Sequence, residues 1–186
     1  VAPEDRPEMA ADVRHFNEVA VFESWDMLCG RLHPELGGSR EHLDIVGMNY
    51  YWTNQWELGR DECPLSDGDP RRVSLRDLVK SVSQRYGGDL LITETAHVDD
   101  MRPVWLQYVA DEAEALLAEK VPLRGVCLYP ILGMPEWHDQ AKWTAMGLWD
   151  IVPDQLGANR EVCTPMLDVL RKAQQLECLQ HEYAAA

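Results

Sequence analysis

A carboxylate at the end of a short apolar run is the first candidate for chemistry in this sequence. Glu94 comes directly after the run Leu90–Thr93, which predicts a short buried strand. A carboxylate at the end of such a strand is held on a rigid element, as a catalytic nucleophile must be. The alternative is a structural ion pair with a Lys or Arg, which is the more common role of an isolated strand-end Glu.

Two polar residues, Asn49 and Tyr51, form the second candidate. They lie two positions apart in the mostly apolar run Leu43–Tyr51, so on a strand both side chains point to the same face. A tyrosine hydroxyl beside a carboxylate can fix the rotamer and the protonation state of that carboxylate by hydrogen bonding. The alternative is a tyrosine that packs in the wall of the fold and caps its core.

Aromatic residues and one carboxylate follow the last predicted strand and form the third candidate. They are Tyr129, Glu136, Trp137, Trp143 and Trp149. Sugars present C–H faces to aromatic rings and hydroxyl groups to carboxylates, so the adjacent Glu136 and Trp137 offer an acceptor and a stacking surface. The alternative is a hydrophobic plug in a loop, with a solvated Glu beside it.

Helices and strands alternate along the sequence. Apolar periodicity and capping residues predict helices over 12–28, 74–86, 102–120 and from Thr164 onward, and apolar runs predict strands over 43–51, 90–94 and 125–129. Ser74 is predicted to cap the second helix, and Asp99 and Asp100 the third. Strict alternation with nearly continuous apolar strands is typical of an α/β fold, with a parallel sheet and helices packed outside it.

The strand ends distinguish between the two α/β folds that share this alternation. No G-x-G-x-x-G motif and no phosphate loop follows any of the predicted strands, so a nucleotide-binding doubly wound sheet gains no support. Each strand instead ends in polar or aromatic residues and leads into a loop. This pattern favours a (β/α)8 barrel, whose active sites are assembled from strand ends.

The three candidate groups resemble motifs of glycoside hydrolase family 1, the β-glucosidase-like retaining enzymes of clan A. The resembling segments are Ile45–Tyr51 for the sixth strand of that family, Ile92–Glu94 for the seventh, and Tyr129–Trp137 with Met146–Leu148 for the eighth. The resemblance extends from about Trp25 to Ile151 with the motifs in the family's order. It implies the carboxyl-terminal half of a (β/α)8 TIM barrel, about strands 5/6 to 8 with their outer helices.

The resemblance also implies a role for each of the candidate residues. Glu94 would be the nucleophile of a retaining double displacement on β-linked glycosides, and Tyr51 would be its hydrogen-bond partner. The sugar-binding residues would be Asn49, Tyr129, Glu136 and Trp137. In particular, Glu136 would bind hydroxyls of the non-reducing-end sugar.

The sequence departs from the family pattern at several of these positions. Thr95 and Ala96 follow the Glu where the family has Asn-Gly, and Gly133–Pro135 replaces its Asp-Asn-Phe. Tyr129 stands where the family usually has a Trp platform. These differences indicate a divergent branch of the family.

Half of the catalytic machinery of such an enzyme has no counterpart in the sequence. The family carries its acid/base in an Asn-Glu-Pro motif on the fourth strand, and that motif does not occur here. The 186 residues are also fewer than the ~250 typical of a whole barrel. We therefore expect an inactive fragment unless an amino-terminal half barrel or a companion chain completes it, and exposed strand edges make a homo-oligomer another expectation.

Composition excludes several other classes of function. The formal net charge of −15 opposes binding to nucleic acid or to anionic membranes. Five cysteines without a C-x-x-C pair predict neither a disulfide framework nor a zinc site, which fits a soluble protein of the reducing cytoplasm. We predict no metal and no cofactor, and a single domain over 1–186 with a loosely packed tail over 177–186.

Three functions remain open from the sequence. The first is hydrolysis of β-linked glycosides with retention of configuration. The second is a catalytically inactive barrel that binds carbohydrate or assembles with a partner. The third is transglycosylation, which uses the same covalent intermediate as the first.

Overall fold

A computed structural model describes residues 1–60, 63–154 and 157–184, without the side chains of 153, 154, 157, 158 and those after Gln175. The α-helices are α1 (Ala10–Glu18), α2 (Glu23–Leu28), α3 (Leu75–Tyr86), α4 (Arg102–Ala118) and α5 (Thr164–Ala184). The strands are β1 (Ile45–Asn49), β2 (Asp89–Thr95), β3 (Leu123–Leu128), β4 (Met134–Pro135), β5 (Trp143–Thr144), β6 (Trp149–Asp154) and β7 (Gly157–Val162). The tail over 177–186, which is predicted to be loosely packed, lies outside the residues whose side chains the structure describes.

The chain forms two compact units. The first contains Val1–Val46 and Trp52–Leu90, and the second contains Gly47–Tyr51 and Leu91–Ala186. All six candidate site residues predicted from the sequence lie in the second unit.

Strands β1, β2 and β3 form a three-stranded sheet in that order, with β2 in the middle. The backbone N–H of Tyr50 donates to the carbonyl of Glu94 at 2.9 Å, and that of Tyr129 donates to the carbonyl of Thr95 at 3.3 Å. The carboxyl ends of all three strands therefore lie side by side, as in a parallel sheet. This edge brings together the chain segments that carry the first two candidates and the start of the third.

Two antiparallel hairpins that the sequence did not predict follow β3. Strands β4 and β5 pair Met134 with Thr144 and Pro135 with Trp143. Strands β6 and β7 pair from Trp149 with Val162 to Asp154 with Gly157.

Helix α3 shows how local sequence determines an element of the first unit. The Ser74 hydroxyl accepts a hydrogen bond from the Asp77 N–H at 3.1 Å, as the capping pattern predicts. Leu75, Val79, Val82 and Tyr86 are buried, and they recur with helical spacing.

Three predicted elements differ from the structure. The predicted helix over 12–28 is interrupted at Val19, whose φ of −122° and ψ of −66° are not helical, so α1 and α2 are separate. Strand β1 is not buried on both faces, since Val46 is 1% exposed and Ile45, on the opposite face, is 51% exposed.

The predicted carboxylate cap of α4 is also absent. Met101 occupies the N-cap position and makes no side-chain cap hydrogen bond. Asp99 has a φ of +51° and donates its N–H to the Ala145 carbonyl at 2.7 Å. Asp99 therefore bonds through its backbone to a distant loop, which sequence spacing cannot show.

An ion pair with a tyrosine stabilises the first unit. The Asp26 carboxylate accepts hydrogen bonds from the Arg85 guanidinium and, at 2.8 Å, from the Tyr86 hydroxyl. Asp26 is only 8% exposed, and its bond with Arg85 is the main reason why the pKa of this carboxyl lies below its usual range. A lowered pKa means that the carboxylate contributes stability above the unfolded-state pKa, and that this contribution is lost as pH falls through the folded-state pKa.

We expect Asp26→Asn to lower the free energy of unfolding by about 2 kcal/mol at neutral pH, since hydrogen bonds to a charged group are replaced by neutral ones. The difference from wild type should shrink as Asp26 itself becomes protonated. Urea unfolding between about pH 7 and about pH 2 measures both effects. The exposed Glu18→Gln serves as control, and a difference that persists undiminished in acid would contradict the role of the Asp26 charge.

The second unit has an apolar core beneath the loops that follow β3. Leu106 of α4, Leu148 and Met166 of α5 are buried together. Leu128 and Leu170 are among the partly buried residues that pack against them. The core thus joins both helices to the end of β3, so the loops of the candidate site emerge from a packed base.

Candidate active site

The centre of the candidate site is a hydrogen bond between Tyr51 and Glu94. The Tyr51 hydroxyl donates to Oε2 of Glu94 at 2.9 Å. Glu94 is half-buried and continues the face of β2 that carries the fully buried Leu90 and Ile92. The strand therefore fixes the backbone of Glu94, and Tyr51 fixes its carboxylate.

The environment of Tyr51 keeps its hydroxyl protonated. Burial raises the pKa of Tyr51 well above its usual range, and the hydrogen bond to Glu94 raises this pKa further. The hydroxyl is therefore a neutral hydrogen-bond donor at physiological pH. This donor fixes the rotamer of the Glu94 carboxylate. It contacts Oε2, and Oε1 is the oxygen that Tyr51 does not contact.

Asn49 contacts a different residue of β2. Its Oδ1 accepts a hydrogen bond from the Thr93 hydroxyl at 2.6 Å. Side chains alternate along a strand, so Thr93 and Glu94 point to opposite faces of β2. The predicted shared face of Asn49 and Tyr51 is therefore wrong, because β1 ends at Asn49 and the alternation does not continue to Tyr51.

A buried hydrogen bond supports the backbone next to Glu94. The indole N–H of Trp105 donates to the hydroxyl of Thr95 at 2.8 Å, and Thr95 is completely buried. The Trp105 ring also stacks on Tyr50, with ring centroids 5.5 Å apart. Sequence reasoning did not single out Trp105, although a Trp at a core position of a helix needs an acceptor for its N–H.

We expect Trp105→Phe to lower the free energy of unfolding by about 2 kcal/mol, because it leaves the buried Thr95 hydroxyl without this donor. Thr95→Val should lower the free energy of unfolding by a similar amount. The double variant should lower it by less than the sum of the two single losses, since removing both partners leaves no unsatisfied polar group. Urea unfolding of the four proteins measures this coupling, and strictly additive losses would contradict it.

The third predicted group divides between a strand end and a hairpin. Tyr129 follows β3, is bonded through its backbone to Thr95, and is 39% exposed. Glu136 and Trp137 follow β4, and Trp137 is 79% exposed.

The carboxylate of Glu136 already has two partners within the hairpin. Its Oε1 accepts hydrogen bonds from the ammonium of Lys142 at 2.6 Å and from the hydroxyl of Thr144 at 3.4 Å. The bond with Lys142 is the main cause of a pKa below the usual range for Glu136, so this side chain is an anion. Sequence reasoning missed Lys142, and its spacing from Glu136 gives no signal until the β4–β5 pairing is known.

The structure thus brings Glu94 and Tyr51 together and places Asn49 at the end of β1 and Tyr129 directly after β3. It holds Glu136 on a separate hairpin, where the carboxylate contacts Lys142 and Thr144. Within the described residues, no group of three or more His, Cys, Asp and Glu side chains is placed to hold a metal ion. No helix among those residues has the length and apolarity of a membrane span.

Comparison with solved structures identifies the class of fold. The chain has the fold of part of a (β/α)8-barrel glycosidase, as the alternating elements and the strand-end residues predict. No protein-family model and no curated protein matches the sequence.

Two of the similar structures are β-glucosidases from Thermotoga maritima. One, in complex with noeuromycin, is 18% identical with a TM-score of 0.62, over 93% of this chain and 48% of the enzyme. A second, described as a family 1 β-glucosidase, is 20% identical with a TM-score of 0.52, over 70% of this chain and 35% of the enzyme. The chain therefore spans between a third and a half of the length of these enzymes, and the predicted resemblance to family 1 is confirmed at the level of the fold.

Proposed function

We propose that this chain is the carboxyl-terminal half of a retaining glycoside hydrolase that acts on β-linked glycosides, with Glu94 as its nucleophile. The observation that carries the proposal is the hydrogen bond from Tyr51 to Glu94 at the carboxyl end of the sheet. A (β/α)8 barrel assembles its active site at this end, from residues at the ends of several strands. The similar solved structures are β-glucosidases, which fits the same chemistry.

In this mechanism Oε1 of Glu94 attacks the anomeric carbon, the glycosidic C–O bond breaks, and the leaving oxygen takes a proton from the acid/base. Water then attacks the glycosyl-enzyme ester and gives its proton to the same acid/base, which restores the Glu94 carboxylate. Tyr51 holds Oε2 and so keeps Oε1 directed at the substrate.

A second carboxyl group about 5–5.5 Å from the nucleophile is required for retention. We propose that it comes from an amino-terminal half barrel, in the same protein or in a companion chain. Strand β1 is at one edge of the described sheet and β3 at the other, so each has an edge at which further strands can add. Copies of this chain are a further proposed partner, through the same strand edges, and the proposed ligand is a carbohydrate in the cytoplasm. The net charge of −15 opposes binding to nucleic acids and to anionic membranes.

Mechanism-based labelling tests the nucleophile directly. The completed protein is incubated with a fluorinated or an epoxide sugar analogue, and the labelled peptide is mapped by mass spectrometry. We expect the label on Glu94, no label in Glu94→Gln, and normal labelling in Glu114→Gln, which removes an exposed carboxylate of α4. A label on any other carboxylate would show that Glu94 is not the nucleophile.

One observation favours a non-catalytic carbohydrate-binding or assembly barrel as the second candidate. Lys142 occupies the carboxylate of Glu136, the group that would have to accept hydroxyls of the sugar. If sugar binding is the only function, Glu94→Gln should leave the affinity for a β-glycoside unchanged and no analogue should label the protein. Transglycosylation would instead show as new products when an acceptor sugar is added.

A further inference from the structure

Arg102 joins the loop after β2 to the segment that begins β6. It is the first residue of α4 and is only 8% exposed. Its guanidinium donates to both carboxylate oxygens of Asp150, at 2.9 and 3.0 Å. It also donates to the carbonyl of Gly147 at 2.8 Å and, through Nε, to the carbonyl of Asp99 at 2.9 Å.

The segment that Arg102 holds is the base of the β4–β5 hairpin. The N–H of Gly133 donates to the carbonyl of Trp149 at 2.7 Å, and the N–H of Trp149 donates to the carbonyl of Ile131 at 3.0 Å. The backbones pack so closely that a Cβ on Gly147 would lie 2.5 Å from the carbonyl carbon of Leu132. A displacement of 147–150 therefore displaces the residues that lead into β4.

A buried arginine at the first position of a helix is a poor choice if its role is only to stabilise the fold. A cation in the first turn of a helix opposes the helix dipole, and burying a charge has a large desolvation cost. Apolar side chains of similar volume often stabilise such a place as well or better. An apolar residue cannot supply the planar fork of donors that sets the distance and angle between the segments 99–102 and 147–150.

We infer that Arg102 is a positioning residue, which fixes the β4–β5 hairpin with Glu136 relative to Glu94 on β2. The inference rests on the proposed function, because it assigns both carboxylates to one substrate. Arg102 acts through Asp150 and Gly147 and does not itself contact the sugar.

The experiment compares Arg102→Met, Arg102→Lys and wild type in the completed protein. Hydrogen exchange of the Gly133 and Glu136 amides should become faster in Arg102→Met, and less so in Arg102→Lys, which keeps the charge and loses the fork. We expect kcat/KM for a β-glycoside to fall about tenfold in Arg102→Met, since small displacements of binding groups lower rates steeply. Asp150→Asn keeps one acceptor oxygen, so its amide exchange rates and its kcat/KM should lie between those of wild type and Arg102→Met. It supplies a milder variant if Arg102→Met does not fold.

A control arginine and a second background separate positioning from simple stabilisation. Arg85→Met removes a comparable ion pair, with Asp26 in the first unit, and should leave kcat/KM unchanged. In the Glu136→Gln background, Arg102→Met should lower kcat/KM less than about twofold, because the group that it positions has been altered already. The same tenfold loss in both backgrounds, or unchanged amide exchange in Arg102→Met, would overturn the inference.

The outcomes for this inference and for the proposed function can be told apart. If wild type hydrolyses no glycoside and no analogue labels Glu94, the proposed function fails, whatever the amide exchange shows. If Glu94 is labelled but Arg102→Met leaves the exchange and the rates as in wild type, only the positioning role fails.

Discussion

Replacement of Glu94 by Gln is expected to lower the turnover of an aryl β-glycoside by about 10⁴-fold or more in the completed protein. Gln has the shape of Glu, and it can still accept the hydrogen bond from Tyr51, so the strand and its contacts should persist. It cannot form the glycosyl ester at a useful rate, because the amide oxygen is a weak nucleophile. Steady-state hydrolysis and a pre-steady-state burst with an activated leaving group measure the loss.

A smaller side chain gives this prediction a second, chemical readout. Glu94→Ala leaves space for a small anion such as azide to attack the anomeric carbon from the same side. Attack without a covalent enzyme intermediate is a single displacement, so the product from a β-glycoside should be the α-glycosyl azide. Glu114→Gln should remain fully active. Hydrolysis by Glu94→Ala at a rate near that of wild type would rule out the nucleophile assignment.

The framework of the site follows from local sequence signals. The run Leu90–Thr93 predicted β2 and placed Glu94 at its carboxyl end, since a short apolar run between turn residues has few alternatives. Ser74 marked the beginning of α3 for an equally local reason. Signals of this kind depend on a few neighbouring residues, and they are readable without knowledge of the rest of the fold.

The contacts that complete the site depend on residues far apart in the sequence. Asn49 was expected beside Tyr51, but the end of β1 places its side chain on Thr93. Lys142 reaches Glu136 only because β4 and β5 pair, and strands of two residues leave no detectable period. For Arg102 a signal did exist, since a basic residue at the start of a helix is unfavourable unless a carboxylate partner lies nearby.

The same distinction separates the fold of this chain from the chemistry of its site. Similarity over 93% of the chain at 18% identity describes the course of the backbone. Chemistry depends on individual side chains, such as the Tyr51 hydroxyl 2.9 Å from Glu94 or the Lys142 ammonium 2.6 Å from Glu136. Tests of function must therefore address these atoms one at a time.

Removal of the Tyr51 hydroxyl is expected to lower kcat/KM by about 100-fold, the upper part of the effect of one hydrogen bond to a charged group. In Tyr51→Phe the Glu94 carboxylate loses the donor that fixes its rotamer. Steady-state hydrolysis of an aryl β-glycoside by wild type and variant measures the loss.

Tyr86→Phe is the matched control for this prediction. It removes the same kind of hydrogen bond, from a buried tyrosine to the carboxylate of Asp26 at 2.8 Å, and both residues belong to the first unit. Tyr86→Phe should therefore lower the free energy of unfolding and leave kcat/KM unchanged. If both variants reduced kcat/KM equally, or if Tyr51→Phe kept the kcat/KM of wild type, the bond to Glu94 would be a structural contact without a part in catalysis.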